Sequence, residues 1–216
     1  MGRTTFDDVE VAFDVDTELR PTGDQLLMKV IRNDKTVGGI ILPKGEKSSS
    51  CVGRVMSVGS GYVSPKTGKN HALAFEVGDV VVTMEYMGHR MELRSGHYRI
   101  VREHGIWCYL KGNFDKNPMV INEVIPYNGK ILVRPTDKEK TDGGLYVLQE
   151  KTMYQRCEIV AVCAGIRNME SGEIHPAEVS VGEKAIFRRY SGSQLTVKGE
   201  ELRLIDQKDI LFVMED

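Results

Sequence analysis

Long apolar runs are missing from this 216-residue chain. No stretch approaches the roughly 20 consecutive apolar residues that a membrane-spanning helix needs, and the N-terminus has neither the basic start nor the apolar centre of a signal peptide. The sequence therefore predicts a protein that stays in the cytoplasm where it is made, unless it is the mature form of a plastid-imported chain. A dominant charge is missing too: 29 Lys and Arg stand against 31 Asp and Glu, a formal net charge of -2. That balance gives no electrostatic drive toward nucleic acid or an anionic membrane. Cysteine is sparse, and Cys51, Cys108, Cys157 and Cys163 form no C-x-x-C pair. A structural zinc site or redox pair is not expected; free, partly buried thiols are. No helical period is sustained over three turns, and no P-loop occurs.

What the chain does have is itself, twice. Shifted by 104 places, "FEVGDVVVTMEYMG" (Phe75 to Gly88) falls on "VSVGEKAIFRRYSG" (Val179 to Gly192), and "RVMSVGSG" (Arg54 to Gly61) on "EIVAVCAG" (Glu158 to Gly165). Gly68 meets Gly172 and His71 meets His175. Upstream the shift becomes 105: "DQLLMKV" meets "GKILVRP", and Gly38-Gly39 meets Gly143-Gly144. Self-similarity of this kind reorganises every later inference. One residue has been lost after the Gly pair, and indels collect in exposed loops, so both segments after the Gly pairs read as surface loops.

The resulting division is an acidic arm over residues 1–19, a first domain over 20–110, a linker over 111–124 and a second domain over 125–216. The arm carries six acids against Arg3, and Val9, Val11, Phe13 and Val15 alternate with Glu10, Ala12 and Asp14. It either adds a strand to a sheet edge or stays disordered, and the strand is favoured. Inside the first repeat, "QLLMKVI", "GRVMSVG", "DVVVTME", "RMELR", "YRIVRE" and "IWCYL" are short β-branched runs separated by glycines. Such spacing argues for a small antiparallel barrel or sandwich. Tyr86-Met87-Gly88 and Tyr190-Ser191-Gly192 read as a turn that packs the barrel. Gly105 stands where the second repeat has Asp209, which predicts a different start for the last strand of the first repeat.

The order and spacing of these elements, found twice, resemble the GroES co-chaperonins. The shared series is an opening strand with a charged end, a Gly-Gly-apolar loop, a V-G-x-G-like turn, a hairpin tip, a V-G-D or V-G-E strand start, a Tyr-x-Gly turn and a closing strand. Two such domains in one chain look like the tandem co-chaperonin of plastids. The resemblance implies an all-β chain of two tandem GroES-like small, partly open β-barrels. It also implies a non-enzymatic co-chaperonin that caps a GroEL-type chaperonin in a nucleotide-dependent way and closes a cage around client proteins. The partner would bind ATP; this chain would need no cofactor or metal, and would work as a homo-oligomer.

By the same resemblance the chaperonin-binding segment of the first repeat is Gly38, Gly39, Ile40, Ile41 and Leu42, inside "TVGGIILPKGEKSSS". Alone, Ile40 to Leu42 also read as a buried strand after a glycine turn; the repeat and the whole-domain likeness favour a loop whose apolar residues a partner covers. The second repeat offers Gly143, Gly144, Leu145, Tyr146 and Val147. The aromatic at its centre and the lack of a serine run make it the less certain site. The tips Ser60 to Asn70 and Ile166 to Glu173 correspond to the family's dome roof, and read otherwise as solvated turns. His71 and His175 are better explained as polar residues leaving those hairpins than as metal ligands.

Two rivals remain. Zinc-dependent medium-chain dehydrogenases carry a GroES-like barrel, but "GHR" at Gly88 to Arg90 lacks the glutamate that follows Gly-His there, and "GSGYVS" lacks the third glycine of a dinucleotide fingerprint. The second rival is a barrel repurposed as a scaffold or regulator that binds some other protein.

Overall fold

The computed structural model describes residues 19–31, 50–84, 86–93, 95–115, 120–136, 153–168 and 170–215. Residues 1–18 of the acidic arm and both Gly-Gly-apolar segments lie outside these.

Strands dominate. The first series is β1 (Gln25–Val30), β2 (Ser50–Val58), β3 (Tyr62–Val63), β4 (Asn70–His71), β5 (Val80–Met84), β6 (His89–Leu93), β7 (Gly96–Arg102) and β8 (Ile106–Asn113). After β9 (Val120–Pro126) the series returns as β10 (Lys130–Pro135), β11 (Tyr154–Val162), β12 (Ile166–Arg167), β13 (Ile174–His175), β14 (Lys184–Arg188), β15 (Ser193–Val197), β16 (Glu200–Asp206) and β17 (Ile210–Met214). β10 starts 105 residues after β1, and every later start is repeated at 104. The residue is thus lost between β10 and β11, the interval that holds Gly143 to Val147.

The chain divides into two compact units, each built around one of two larger sheets. The first sheet runs β6-β7-β1-β2-β5-β8-β9 and the second β15-β16-β10-β11-β14-β17; β3-β4 and β12-β13 are separate hairpins. Among the described residues neither ladder closes on itself, so each barrel is partly open. Curvature comes from bulges at matching places: Met56 of β2 opposite the Leu27–Met28 step of β1 and Val160 of β11 opposite Leu132–Val133 of β10, then Trp107 of β8 opposite Val82–Thr83 of β5 and Leu211 of β17 opposite Ile186–Phe187 of β14. An extra residue on one strand bends it and increases its twist.

Sequence explains the burial. Val80, Val81, Val82 and Thr83 of β5 are all buried, as a central strand covered on both faces requires. The first core centres on Leu26, Met28, Val55, Val81, Val101 and Ile106, each at most 1% exposed. The second gathers Ile131, Val133, Cys157, Ile159, Ala185, Phe187 and Ile205. All four cysteines are buried and none is in a disulfide; burial pushes the Cys108 thiol up to about 12, so it offers no thiolate at neutral pH.

Two glycine pairs show why the repeat keeps that residue. Gly61 and Gly165 have φ of 110° and 138°, Gly88 and Gly192 of 76° and 72°, conformations that side chains rarely adopt. A Cβ there would strike a backbone carbonyl each time, His71 or His175 in the first pair and Ile100 or Leu204 in the second.

The expectation of a different last-strand start is corrected. Both repeats enter that strand through the same short 3-10 turn, Glu103–Gly105 and Gln207–Asp209, closed by the Ile106 N–H on the Glu103 carbonyl and the Ile210 N–H on the Gln207 carbonyl. Of the segment read as linker, Lys111 to Asn113 extend β8, and residues 120–124 belong to β9, with Ile121 and Val124 buried.

Candidate functional site

Gly38 to Leu42 fall between β1 and β2, and Gly143 to Val147 between β10 and β11; all ten lie outside the described residues. What the structure describes is the platform that presents them. Each interval leaves from adjacent antiparallel strands in the middle of a sheet, β1 lying between β7 and β2 and β10 between β16 and β11. The last ladder bond before departure is the same in both. Ile31 donates its N–H to the Val52 carbonyl at 2.9 Å, and Thr136 to the Arg156 carbonyl at 3.0 Å. Below these bonds Leu26 and Met28, like Ile131 and Val133, are fully buried, so the two roots are anchored in core.

The roots differ in charge. In the first repeat Lys29 stands opposite Arg54 in the ladder, and its ammonium lies 5.8 Å from the Tyr98 ring centroid. In the second, Arg134 stands opposite Glu158 and pairs with it at 2.7 Å, while its Nε donates to Glu200 across the sheet. The hydrogen bond from Arg134 holds the Glu200 carboxyl below its ordinary 4.5, against a small opposing effect of burial. The bonds to Glu200 and then Glu158 push the Arg134 guanidinium upward.

A measurable consequence follows at the second root. Glu200 has a lowered folded pKa, so its contribution is present above the unfolded value and is lost as pH falls through the folded one. These groups are half-exposed, with side chains 37% and 45% accessible, which limits their coupling to about 0.5–1 kcal/mol. A double-mutant cycle of Arg134→Gln and Glu200→Gln, read by urea unfolding, should show that coupling at neutral pH and none once Glu200 is protonated. Equal coupling at both pH values would contradict the pairing.

The tyrosine turns are partly as expected. Met87 closes one on the Met84 carbonyl at 3.1 Å and Ser191 the other on the Arg188 carbonyl at 3.0 Å. The rings do not pack the barrel: Tyr86 is 71% and Tyr190 82% exposed. The turns are held instead by a pair of arginines at matching positions that sequence reasoning missed. Arg99, 3% exposed, donates to the Met84 and Met87 carbonyls at 3.3 and 2.8 Å, and Arg203 donates to the Arg189 carbonyl. Burial, then the neighbouring Arg189 charge, lowers the Arg203 pKa. An arginine facing inward from a strand was the available signal.

The hairpin tips are one turn built from different residues. Gly68 donates to the Ser64 carbonyl and Gly172 to the Asn168 carbonyl, both at 2.8 Å. The Ser64 hydroxyl accepts from Thr67 N–H at 3.1 Å, and the Asn168 side-chain oxygen from Glu170 and Ser171 N–H at 2.8 and 3.2 Å. His71 lies opposite Tyr62 in its hairpin, with ring centroids 6.4 Å apart. Among the described residues no cluster of His, Cys, Asp and Glu could hold a metal ion, and no helix is long and apolar enough to cross a membrane.

Two bulged, Gly-cornered antiparallel units, each with a long interval between its first two strands, define the class of small β-barrel to which this molecule conforms. The family model for the chaperonin 10 Kd subunit matches residues 18–110 and again 123–214, and the chain belongs to that family. It is 27% identical over 203 residues to the 20 kDa chaperonin, chloroplastic, of Arabidopsis thaliana, and 28% identical over 205 residues to that of Spinacia oleracea. Each alignment covers 92% of this chain and 76% of the relative. The co-chaperonin GroES of Pelobacter propionicus is 39% identical over 92 residues, 42% of this chain and 96% of that protein.

Proposed function

We propose that this chain is a tandem co-chaperonin that caps a GroEL-type chaperonin and closes its folding cage around client proteins. The observation that carries the reading is the double family match, residues 18–110 and 123–214, on two units whose strands repeat in register. The role is non-enzymatic, and the relatives named co-chaperonin or chaperonin support it over a repurposed scaffold. ATP is bound and hydrolysed by the partner. The plastid relatives favour a stromal site of action over the cytosol.

In this reading Gly38, Gly39, Ile40, Ile41 and Leu42 dock into an apolar groove on the chaperonin, with Gly143, Gly144, Leu145, Tyr146 and Val147 as a second, weaker contact. Burying three large aliphatic side chains yields on the order of 5 kcal/mol, much of it offset by the cost of ordering the segment. One segment alone therefore binds weakly. Several on one assembly act at high effective concentration and make a tight but releasable lid.

Co-sedimentation of the purified protein with a GroEL-type ring, with and without ATP, tests the function. Capture that requires nucleotide is expected. A folded protein that no chaperonin retains in either condition would leave the scaffold reading in its place.

A further inference from the structure

At the first root two cations face each other where the second root holds an ion network. Lys29 of β1 stands opposite Arg54 of β2, and both are half-buried. At the matching places the second repeat has Arg134 and Glu158, and Glu200 completes its network. In the first repeat Glu158 gives way to Arg54 and Glu200 to Gly96. One cation and two acids have become two cations and a glycine. Like charges directly opposite in a ladder destabilise a sheet, and the fold does not ask for the reversal, since a glutamate at the same place makes an ion pair in the second repeat.

Lys29 nevertheless follows the path of Arg134 toward the next strand. Its Cε lies 3.4 Å from where a Cβ on Gly96 would stand, and its ammonium rests near the Tyr98 ring, whose hydroxyl shares a hydrogen bond with Ser95 at 2.9 Å. An aromatic face attracts a cation without neutralising it, so the stem is placed and the charge remains. Location matters as much as charge. Val30 pairs with Gly53 one rung further on, and the bond from Ile31 N–H to the Val52 carbonyl is the last before the interval that holds Gly38 to Leu42. The cation pair therefore lies at the base of the first docking segment, and the second segment has no equivalent.

We propose that Lys29 and Arg54 form a carboxylate-binding site whose ligand is an acidic side chain of the chaperonin, beside the groove that takes Ile40 to Leu42. This inference rests on the capping role. A carboxylate set between an ammonium and a guanidinium makes charge-assisted hydrogen bonds to both and relieves their mutual repulsion. Such a contact contributes orientation and speed of encounter more than bulk affinity. It also makes the two repeats unequal toward one partner surface, because the second root is closed by its own acids and would repel that carboxylate.

Arg54→Glu tests this in the full-length chain, since it installs the residue that the second repeat uses and gives Lys29 an ion-pair partner. Its thermal midpoint is expected at or above that of the unsubstituted protein. Capture of a GroEL-type ring with ATP, titrated by co-sedimentation, should weaken roughly tenfold at low ionic strength. The difference should shrink when sodium chloride is added at constant potassium, because salt screens exposed charges. Lys29→Gln should give a smaller loss of the same kind. An Arg54→Glu protein captured as strongly as the unsubstituted one, or a loss that added salt leaves unchanged, would overturn the proposal and leave the capping role intact. Failure of the unsubstituted protein to bind any ring would instead remove the capping role, and this site with it.

Discussion

Capture of a GroEL-type ring should fall by at least roughly a hundredfold when Ile41 becomes Asp, while the barrels stay folded. Withdrawing one isoleucine from an apolar groove forfeits about 2 kcal/mol, or roughly thirtyfold at each segment. A carboxylate in its place also has to lose its water without gaining a partner. In the proposed capping role several linked segments bind together, so losses at each contact multiply. The fold is insulated from this change, since the cores below the root rest on Leu26, Met28 and Val55. Tyr146→Asp should cost less, because an aromatic already interrupts the aliphatic run there. Co-sedimentation with ATP, beside a thermal melt, decides the matter: a folded Ile41→Asp protein captured at wild-type strength would remove the binding assignment.

The strands were legible because their signals are local. The Val80 to Val82 run is buried on both faces, and the glycines that mark its neighbours recur where a Cβ would meet backbone. The break in the repeat offset was legible for the same reason, as it needs only alignment of the chain with itself. Features made by partners on separate strands were not. Arg134 pairs with Glu158 and Glu200 only once two ladders have set the register, and nothing in the linear sequence joins them.

Identity between repeats also misled at one place and difference at another. Tyr86 and Tyr190 match, which suggested shared packing, yet what they share is exposure. Gly105 and Asp209 differ, which suggested different geometry, yet the turn uses only backbone groups. Gly105 is not among the positive-φ glycines, so the backbone of this turn does not require a glycine. Ser64 and Asn168 give the same lesson, because the tip needs a side-chain oxygen and either residue has one. The candidate binding segments stand apart from these cases: they rest on family likeness and on apolar residues following a Gly pair, and they lie outside the described residues.

Phe187→Ala should remove about 3–5 kcal/mol from the second unit, the range for deleting a fully buried aromatic side chain. The ring is 0% exposed among Ile131, Val133, Ile159 and Ile205, and the Arg203 guanidinium lies 6.0 Å from its centroid. Its counterpart in the first repeat is Thr83, a smaller side chain whose buried hydroxyl donates to the Gly105 carbonyl at 2.8 Å. The two cores therefore reach closure differently at one position, and neither residue is a safe replacement for the other. A domain of this size has a total stability of about 5–15 kcal/mol, so the variant brings the second unit close to unfolding. The chain's one tryptophan, Trp107, lies on β8 in the first sheet. Urea unfolding followed by circular dichroism should acquire an early transition, while the Trp107 fluorescence midpoint stays where it was. A loss under about 1 kcal/mol would mean the site collapses around the deletion, and a parallel shift of the tryptophan signal would mean the two units unfold as one.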